Sequence, residues 1–65
     1  MKDFQVNDPI RVTAEAAHHA NKKGYFHFMA DKEIAVCADE PRNESDPPRS
    51  GYHCFAVNIE YLVLA

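Results

Sequence analysis

Residues 24–38 constrain the fold more than any other stretch, because side chains alternate between two faces over two consecutive segments. A period of two is typical of strands that are buried on one side. In the first segment Phe26, Phe28 and Ala30 alternate with Tyr25, His27 and Met29, and in the second Ile34, Val36 and Ala38 alternate with Glu33, Ala35 and Cys37. Asp31 and Lys32 separate the segments, so we expect a β-hairpin with its turn at these two residues.

The predicted turn also fixes which residues of the hairpin lie opposite each other. A two-residue turn places Cys37 opposite Phe26 and Ala35 opposite Phe28. Phe26 and Phe28 are therefore expected in the core. Because His27 does not face Cys37 in this register, the hairpin does not form a Cys–His nucleophilic pair. The chain also lacks a Gly-rich phosphate loop and a Gly-x-Ser-x-Gly motif, so we predict a protein that is not an enzyme.

Length and composition restrict the protein class. A chain of 65 residues, 46% hydrophobic and 26% charged, is typical of a single small globular domain with a small core. Its formal net charge of −3 argues against a dedicated nucleic-acid-binding protein, which usually clusters Lys and Arg on one surface. No apolar run is long enough to span a bilayer, and the start of the chain lacks an apolar signal segment. We therefore expect a cytoplasmic protein.

The segment before the hairpin permits two interpretations. Residues 10–13 are β-branched and alternating, which favours a strand followed by a loop at 14–23. Alternatively, Asp8 is a suitable N-cap and Gly24 a suitable terminating residue for a helix at about 9–23. The first interpretation predicts a mainly β fold. The second predicts an α+β fold with this helix on a three- or four-stranded antiparallel sheet.

The segment after the hairpin contains a long loop and two strands. Residues 39–51 hold three of the four prolines, six charged residues and no large apolar residue, so we predict a flexible acidic loop. Residues 52–57 and 61–64 are expected to be strands. Residues 58–60 are short enough to form one 3₁₀ turn between them. The total is five strands in one domain spanning residues 1–65.

This order of elements resembles SH3-like small β-barrels, the kind found in KOW-type domains and in the electron-docking accessory protein of photosystem I. Residues 4–12 are similar to the aromatic-x-x-Gly-Asp-x-Val-x-Val opening of that pattern. Residues 22–26 are similar to its Gly-x-x-Gly-x-Val second strand, and residues 55–62 to its short turn into a last strand. The resemblance implies a five-stranded SH3-like barrel.

Two departures from the pattern involve glycine. Asn7 stands where the family often has Gly, and Asn21 or Ala20 stands where its second motif begins with Gly.

The resemblance also implies where partners bind, because such barrels usually bind them at their loops. In this chain those loops are 14–23 and 39–51.

Metal ligands are present without a recognisable metal-binding spacing. The histidines and cysteines are His18, His19, His27, His53, Cys37 and Cys54. Zinc sites commonly use a Cys-x₂₋₄-Cys or His-x₃₋₅-His pair, and the sequence has neither. We therefore predict no metal, no cofactor and two free thiols.

The remaining features favour recognition of another protein. Tyrosines offer contact area with a polar end, and Tyr25 and Tyr52 border the two loops. The candidate partner-binding residues are His18, His19, Lys22, Lys23, Tyr25 and Tyr52. Two alternatives are retained. One is a KOW-like nucleic-acid-binding barrel that uses Arg11, Lys22, Lys23 and Tyr25. The other is a homo-oligomeric structural protein formed by pairing of edge strands.

Overall fold

The computed structural model describes residues 3–65, which form one antiparallel sheet of five strands. Met1 and Lys2 of the predicted domain lie outside the described residues. In chain order the elements are β1 (Pro9–Val12), β2 (Lys23–Met29), β3 (Ile34–Ala38), β4 (Cys54–Asn58), a 3₁₀ turn η1 (Ile59–Tyr61) and β5 (Leu62–Leu64). The strand order is β4-β3-β2-β1-β5, so β4 and β5 are the edges of an open sheet.

The mainly β prediction is confirmed, and the alternative helix at about 9–23 is wrong. Residues 9–12 form β1, which pairs with β2 on one side and β5 on the other. Ile10 and Val12 are fully buried. A helix over the same segment would have presented mainly alanines to the core, and alanine buries little apolar area. Within residues 3–65 no helix is long and apolar enough to cross a membrane.

One face of the sheet, the inner face, carries the hydrophobic core. Its buried members are Ile10, Val12, Ala16, Phe26, Ala35, Cys37, Phe55, Val57 and Leu62. Phe55 and Val57 come from one edge strand and Leu62 from the other. Because residues of both edges belong to the same cluster, the sheet coils around its inner face.

The pairing of β2 with β3 differs from the predicted register. Phe26 pairs with Cys37, as predicted. Phe28 pairs with Val36 and not with Ala35, because the register shifts by one residue within β2. A shift of this kind is a β-bulge, in which two residues of one strand oppose one residue of its partner.

His27 is the residue that the bulge inserts between Phe26 and Phe28. An inserted residue reverses the alternation that follows it. Phe28 therefore leaves the inner face and is half-buried on the outer face, so its prediction as a core residue is wrong. His27 is fully buried, and the long loop covers it.

The hairpin turn is longer than predicted. β2 ends at Met29 and β3 begins at Ile34, so Ala30 does not pair with Glu33. The backbone N–H groups of Ala30 and Asp31 both donate to the Ile34 carbonyl oxygen, at 2.9 and 3.4 Å. The connection is therefore a four-residue turn, and the two-residue turn is wrong.

Gly24 is required by close packing inside β2. A Cβ atom at this position would lie 2.5 Å from the Ala38 carbonyl oxygen and 3.4 Å from Cε1 of Phe55. The oxygen belongs to the backbone, so no change of rotamer relieves the contact. Gly24 thus permits a close approach between strands and does not terminate a helix.

Candidate functional site

The long loop at residues 39–53 is attached to the outer face of the sheet through His27. The ring atom Nε2 of His27 lies 2.8 Å from the Glu40 carbonyl oxygen. Because a carbonyl oxygen only accepts, Nε2 is the protonated nitrogen. Nδ1 is buried and has no hydrogen-bond partner among the described residues. The Tyr52 ring packs edge-on against the imidazole, with centroids 4.9 Å apart and an interplanar angle of 85°.

A second attachment joins the long loop to the turn before β1. The Asn7 side-chain amide donates to the Arg42 carbonyl oxygen at 2.7 Å and accepts from the Arg42 backbone N–H. Arg42 then uses Nε and Nη2 to donate to the Asp46 carbonyl oxygen, at 3.1 and 2.6 Å. These hydrogen bonds satisfy backbone groups of a segment that has no regular secondary structure.

Tyr52 belongs to the same hydrogen-bond network. Its hydroxyl accepts from the Asn43 backbone N–H at 2.8 Å and donates to Oδ2 of Asp46 at 2.7 Å. The Asn43 hydrogen bond lowers the pKa of Tyr52. The Asp46 hydrogen bond, burial and the charges of Asp46 and Glu40 together outweigh it, so the pKa is raised. The Tyr52 hydroxyl, in a residue that we predicted to bind a partner, is thus already engaged within the chain.

The loop between β1 and β2 is held mainly by backbone hydrogen bonds at its base. Val12 donates to Lys22 O at 2.8 Å, Asn21 donates to Val12 O at 3.0 Å, and Lys22 donates to His19 O at 3.0 Å. His19 and Asn21 have φ angles of 62° and 63°, in the left-handed region that Asn adopts more readily than most residues.

Three of the predicted site residues lie beside β4. The His19 ring is 5.2 Å from the Phe55 ring, and Nζ of Lys22 is 4.6 Å from the Phe55 centroid. His18 is exposed next to them. Lys23 and Tyr25, in contrast, lie on the outer face of β2. The structure therefore divides the predicted candidates between two faces of the sheet.

Grooves flank β4 on both sides. The inner groove, of about 210 Å³, separates β4 from the β1–β2 loop and is lined by Ala16, Ala17, His18, Ala56, Val57, Asn58 and Tyr61. The outer groove, of about 290 Å³, is lined by Val36, Arg49, Cys54, Phe55 and Ala56. Ala56 is exposed and belongs to both grooves. The edge of β4 is thus a ridge between two shallow depressions.

The edge itself has unpaired backbone groups. Within residues 3–65, no backbone hydrogen bond links residues 54–57 to any strand other than β3. Edge strands are usually protected by charged residues, Pro or bulges. β4 has the sequence CFAVN, which contains no charge and no Pro, and its pairing with β3 has no register shift. It is an edge open to strand addition.

Charge is distributed unevenly along β4. Near its start, Lys22 packs on Phe55, whereas Arg49 packs over Phe28, level with Ala56 at the middle of the strand. Near its end is Tyr61, whose pKa is raised first by the charge of Glu60, then by its hydrogen bond to Glu60, by burial and by Glu15. Lys22 thus lies near the start of the edge, and Glu15 and Glu60 lie near its end.

The sequence did not indicate the grooves. Ala16, Ala17 and Ala56 were not candidates, because small residues carry no chemical signal of their own. Tyr61 was assigned to the last strand, whereas it ends the 3₁₀ turn and lines the inner groove. Alanines in the β1–β2 loop, where larger polar residues are usual, were the available signal.

The remaining candidates for reactivity or metal binding are the two cysteines and the groups of possible metal ligands. Cys37 and Cys54 are both free thiols. Burial raises the pKa of Cys37 to about 12, with a smaller contribution from Cys54, so Cys37 is unsuited to act as a thiolate nucleophile. In the part of the chain that the structure describes, no group of three His, Cys, Asp or Glu residues is placed to hold a metal ion.

Comparison of the chain with protein-family models, with curated proteins and with solved structures gave no match. The fold and the site therefore define the class directly. Residues 3–65 form a small antiparallel β domain whose edge strand β4 contains no charge, no Pro and no bulge.

Proposed function

We propose that this domain is a non-enzymatic protein-binding module that takes up an extended segment as an additional strand on β4. One observation carries the proposal: on the side away from β3, the backbone of residues 54–57 has no strand partner among the described residues, and this edge has a groove on each side. Strand addition at such an edge gains affinity from main-chain hydrogen bonds and specificity from the pockets beside it.

The two grooves match the geometry of an added strand. Side chains of a strand point alternately to opposite faces. Alternate residues of the incoming segment would therefore enter the inner groove, beside Ala17 and Tyr61, or the outer groove, beside Cys54 and Arg49. The inner groove is mostly apolar in lining, so we expect apolar side chains there. An isolated edge without such depressions would offer little selectivity.

We also propose that the coiled sheet is an SH3-like barrel. The strand order and the 3₁₀ turn between β4 and β5 support this assignment. Asn7 and Asn21 give further support, because their φ angles are 70° and 63° and they stand where the family pattern has Gly. Asn is the usual substitute for Gly in this conformation, so these departures preserve the backbone.

Selection of displayed random peptides of about ten residues on the wild-type domain tests the function. We expect the selected peptides to shift the backbone amide resonances of residues 16–18 and 54–58 in isotope-labelled protein. Ala17→Trp fills the inner groove and should abolish these shifts. Ala30→Trp makes the same change at the exposed hairpin turn and serves as the control. Peptides that shift only other residues, or bind Ala17→Trp equally well, would contradict the proposal.

A second candidate function is binding of single-stranded nucleic acid. Arg11 and Lys23 lie directly opposite each other on the outer face, with Tyr25 two residues further along β2. Such a surface could contact phosphates while an aromatic ring stacks on a base. A labelled oligonucleotide titrated at about 50 mM salt tests it. We expect Lys23→Glu to weaken any binding, and absence of binding by the wild type at this salt eliminates the candidate.

A further inference from the structure

We infer that the segment taken up by β4 is β4 of a second copy of this chain, paired antiparallel about a two-fold axis at Ala56. The inference rests on the proposed strand addition and names its partner. The product would be a dimer with one continuous sheet of ten strands, twice the five strands of one copy. Three features of the edge support it.

The first feature is the register that the two-fold axis imposes. With Ala56 opposite Ala56, Phe55 lies opposite Val57 and Cys54 opposite Asn58. All five residues of β4 then have partners, and none of them is charged. A bulky or charged residue at the centre would oppose itself, whereas alanine leaves room for the two backbones to approach.

The second feature is the distribution of charge along the edge. Antiparallel pairing brings the start of one β4 beside the end of the other. Lys22 near the start of one copy then faces Glu15 and Glu60 near the end of the other, and the two-fold axis repeats this contact. The same edge in parallel pairing would place like charges together. Charge complementarity therefore favours an antiparallel copy of the chain itself.

The third feature is the contrast with the other edge. β5 has only three residues, against five in β4, so it offers fewer main-chain hydrogen bonds. Pairing of β4 with β5 of another copy would be heterologous, and repeated contacts of that type grow into open filaments unless they close a ring. Self-pairing of an edge ends at two copies, and β4 offers the longer edge for it. Because the contact is small, we expect a dissociation constant of roughly 0.1–1 mM.

Sedimentation equilibrium of the full chain tests the oligomeric state. At about 1 mM protein we expect an average mass between that of one chain, 7.4 kDa, and twice that value, decreasing to one chain on dilution. Ala56→Lys places two like charges opposite each other on the axis and should weaken the dimer at least tenfold, by roughly 1.4 kcal/mol. Ala56→Thr, which is uncharged and favours strands, should still dimerise. A monomer at every concentration, or a mass that grows beyond two chains, would overturn the inference.

Crosslinking tests the register. With Cys54→Ser as background, Ala56→Cys places the introduced thiol beside its own copy, and we expect a disulfide-linked dimer under mild oxidation. With Cys54 present, Asn58→Cys places the introduced thiol opposite Cys54 of the other copy and should crosslink twice. Leu64→Cys, on the exposed part of β5, is the control and should crosslink far more slowly. Equal crosslinking at position 64 would overturn the register.

A charge exchange tests the polarity of the edge. Lys22→Glu and Glu60→Lys should each weaken the dimer several-fold at low salt, and the double variant should recover most of the loss. Lys23→Glu makes the same charge change at the neighbouring residue but on the outer face, so it should have little effect. No recovery in the double variant would contradict the antiparallel arrangement.

The two proposals fail in different ways. If the chain stays monomeric while selected peptides still shift residues 54–58, the partner is wrong and strand addition stands. If the chain stays monomeric and no peptide binds at this edge, both are wrong.

Discussion

The two long connections of this domain are held by different interactions, and this difference is the reason why we propose recognition beside the shorter one. Backbone groups of the loop at 39–53 bond to side chains: to His27 of β2, to Asn7 of the turn before β1, and to the hydroxyl of Tyr52 within the loop itself. The loop between β1 and β2 closes on its own backbone at Val12, and it leaves a row of small side chains facing β4.

The longer and more charged of the two loops is not the one that borders the unpaired edge of β4. The acidic loop has the more conspicuous composition, but its contacts make it a cover for the outer face. Its Arg49 guanidinium lies 5.7 Å from the centroid of the Phe28 ring, and its carbonyl at Glu40 accepts the hydrogen bond of His27. The shorter loop has fewer charged residues, and it borders the unpaired edge. We therefore propose that recognition depends on the backbone groups that remain without a partner at this edge.

Replacing one histidine in contact with each loop should give the largest difference between the two loops in the free energy of unfolding. His27→Ala removes a fully buried ring and its hydrogen bond to Glu40, which should lower the free energy of unfolding by about 2–4 kcal/mol. His18→Ala, at an exposed position of the β1–β2 loop, should change it by less than about 0.5 kcal/mol. Urea unfolding of both variants measures this. Equal losses would show that the long loop is not anchored through His27.

Asn7 and Asn21 have the same backbone conformation but different side-chain hydrogen bonds, so replacing each by Gly should give a smaller difference in the free energy of unfolding. Asn7→Gly keeps the left-handed backbone but loses both hydrogen bonds to Arg42, so we expect a loss of about 1–2 kcal/mol in the free energy of unfolding. Asn21→Gly keeps the same kind of backbone and loses no side-chain hydrogen bond within the described residues, so its effect should be within about 0.5 kcal/mol. If Asn21→Gly were the more costly variant, the assignment of the two loops would be reversed.

The pH dependence of stability tests how firmly the inner face is closed. The pKa of Cys37 is about 12 in the folded chain, above its ordinary value of 9.0. The unfolded thiol loses its proton first, so the free energy of unfolding should fall as pH rises from about 9 to about 12. Cys37→Ala should be less stable at neutral pH and should lack this alkaline contribution. A Cys37 that is alkylated as fast as half-buried Cys54 at neutral pH would contradict a closed core.

The smallest effect is expected at Tyr52. Tyr52→Phe keeps the ring against His27 and removes the hydrogen bonds to Asn43 and Asp46. The urea midpoint should decrease, by less than for Asn7→Gly, and association at β4 should be unchanged. If Tyr52→Phe had normal stability but no longer associated, Tyr52 would belong to the recognition surface.

The strands could be predicted because their signal is local. Alternation in residues 24–38 and the β-branched residues at 10–13 indicated strands that the structure contains. Two of the left-handed positions, Asn7 and Asn21, also had a signal, because Asn adopts this conformation more readily than most residues, whereas His19 and Arg49 had none. Each of these signals arises from sterics or burial of neighbouring residues.

The bulge and the grooves could not be predicted in the same way. His27 and Phe28 fit an unbroken alternation, and the register shift between Phe26 and Phe28 becomes visible only when β2 is aligned with β3. The inner groove depends on Ala17 and Tyr61, which are 44 positions apart in the chain and meet through the fold. A groove lined by small residues and a strand edge with unpaired backbone groups cannot be recognised from residue types alone.

Backbone amide resonances followed over dilution test the central claim most directly. Between about 1 mM and about 20 µM protein, we expect concentration-dependent shifts at residues 54–58 and at the adjoining residues 16–18, while residues 39–53 remain constant. If the resonances of residues 39–53 changed with concentration while those of β4 stayed constant, the acidic loop would be the recognition surface.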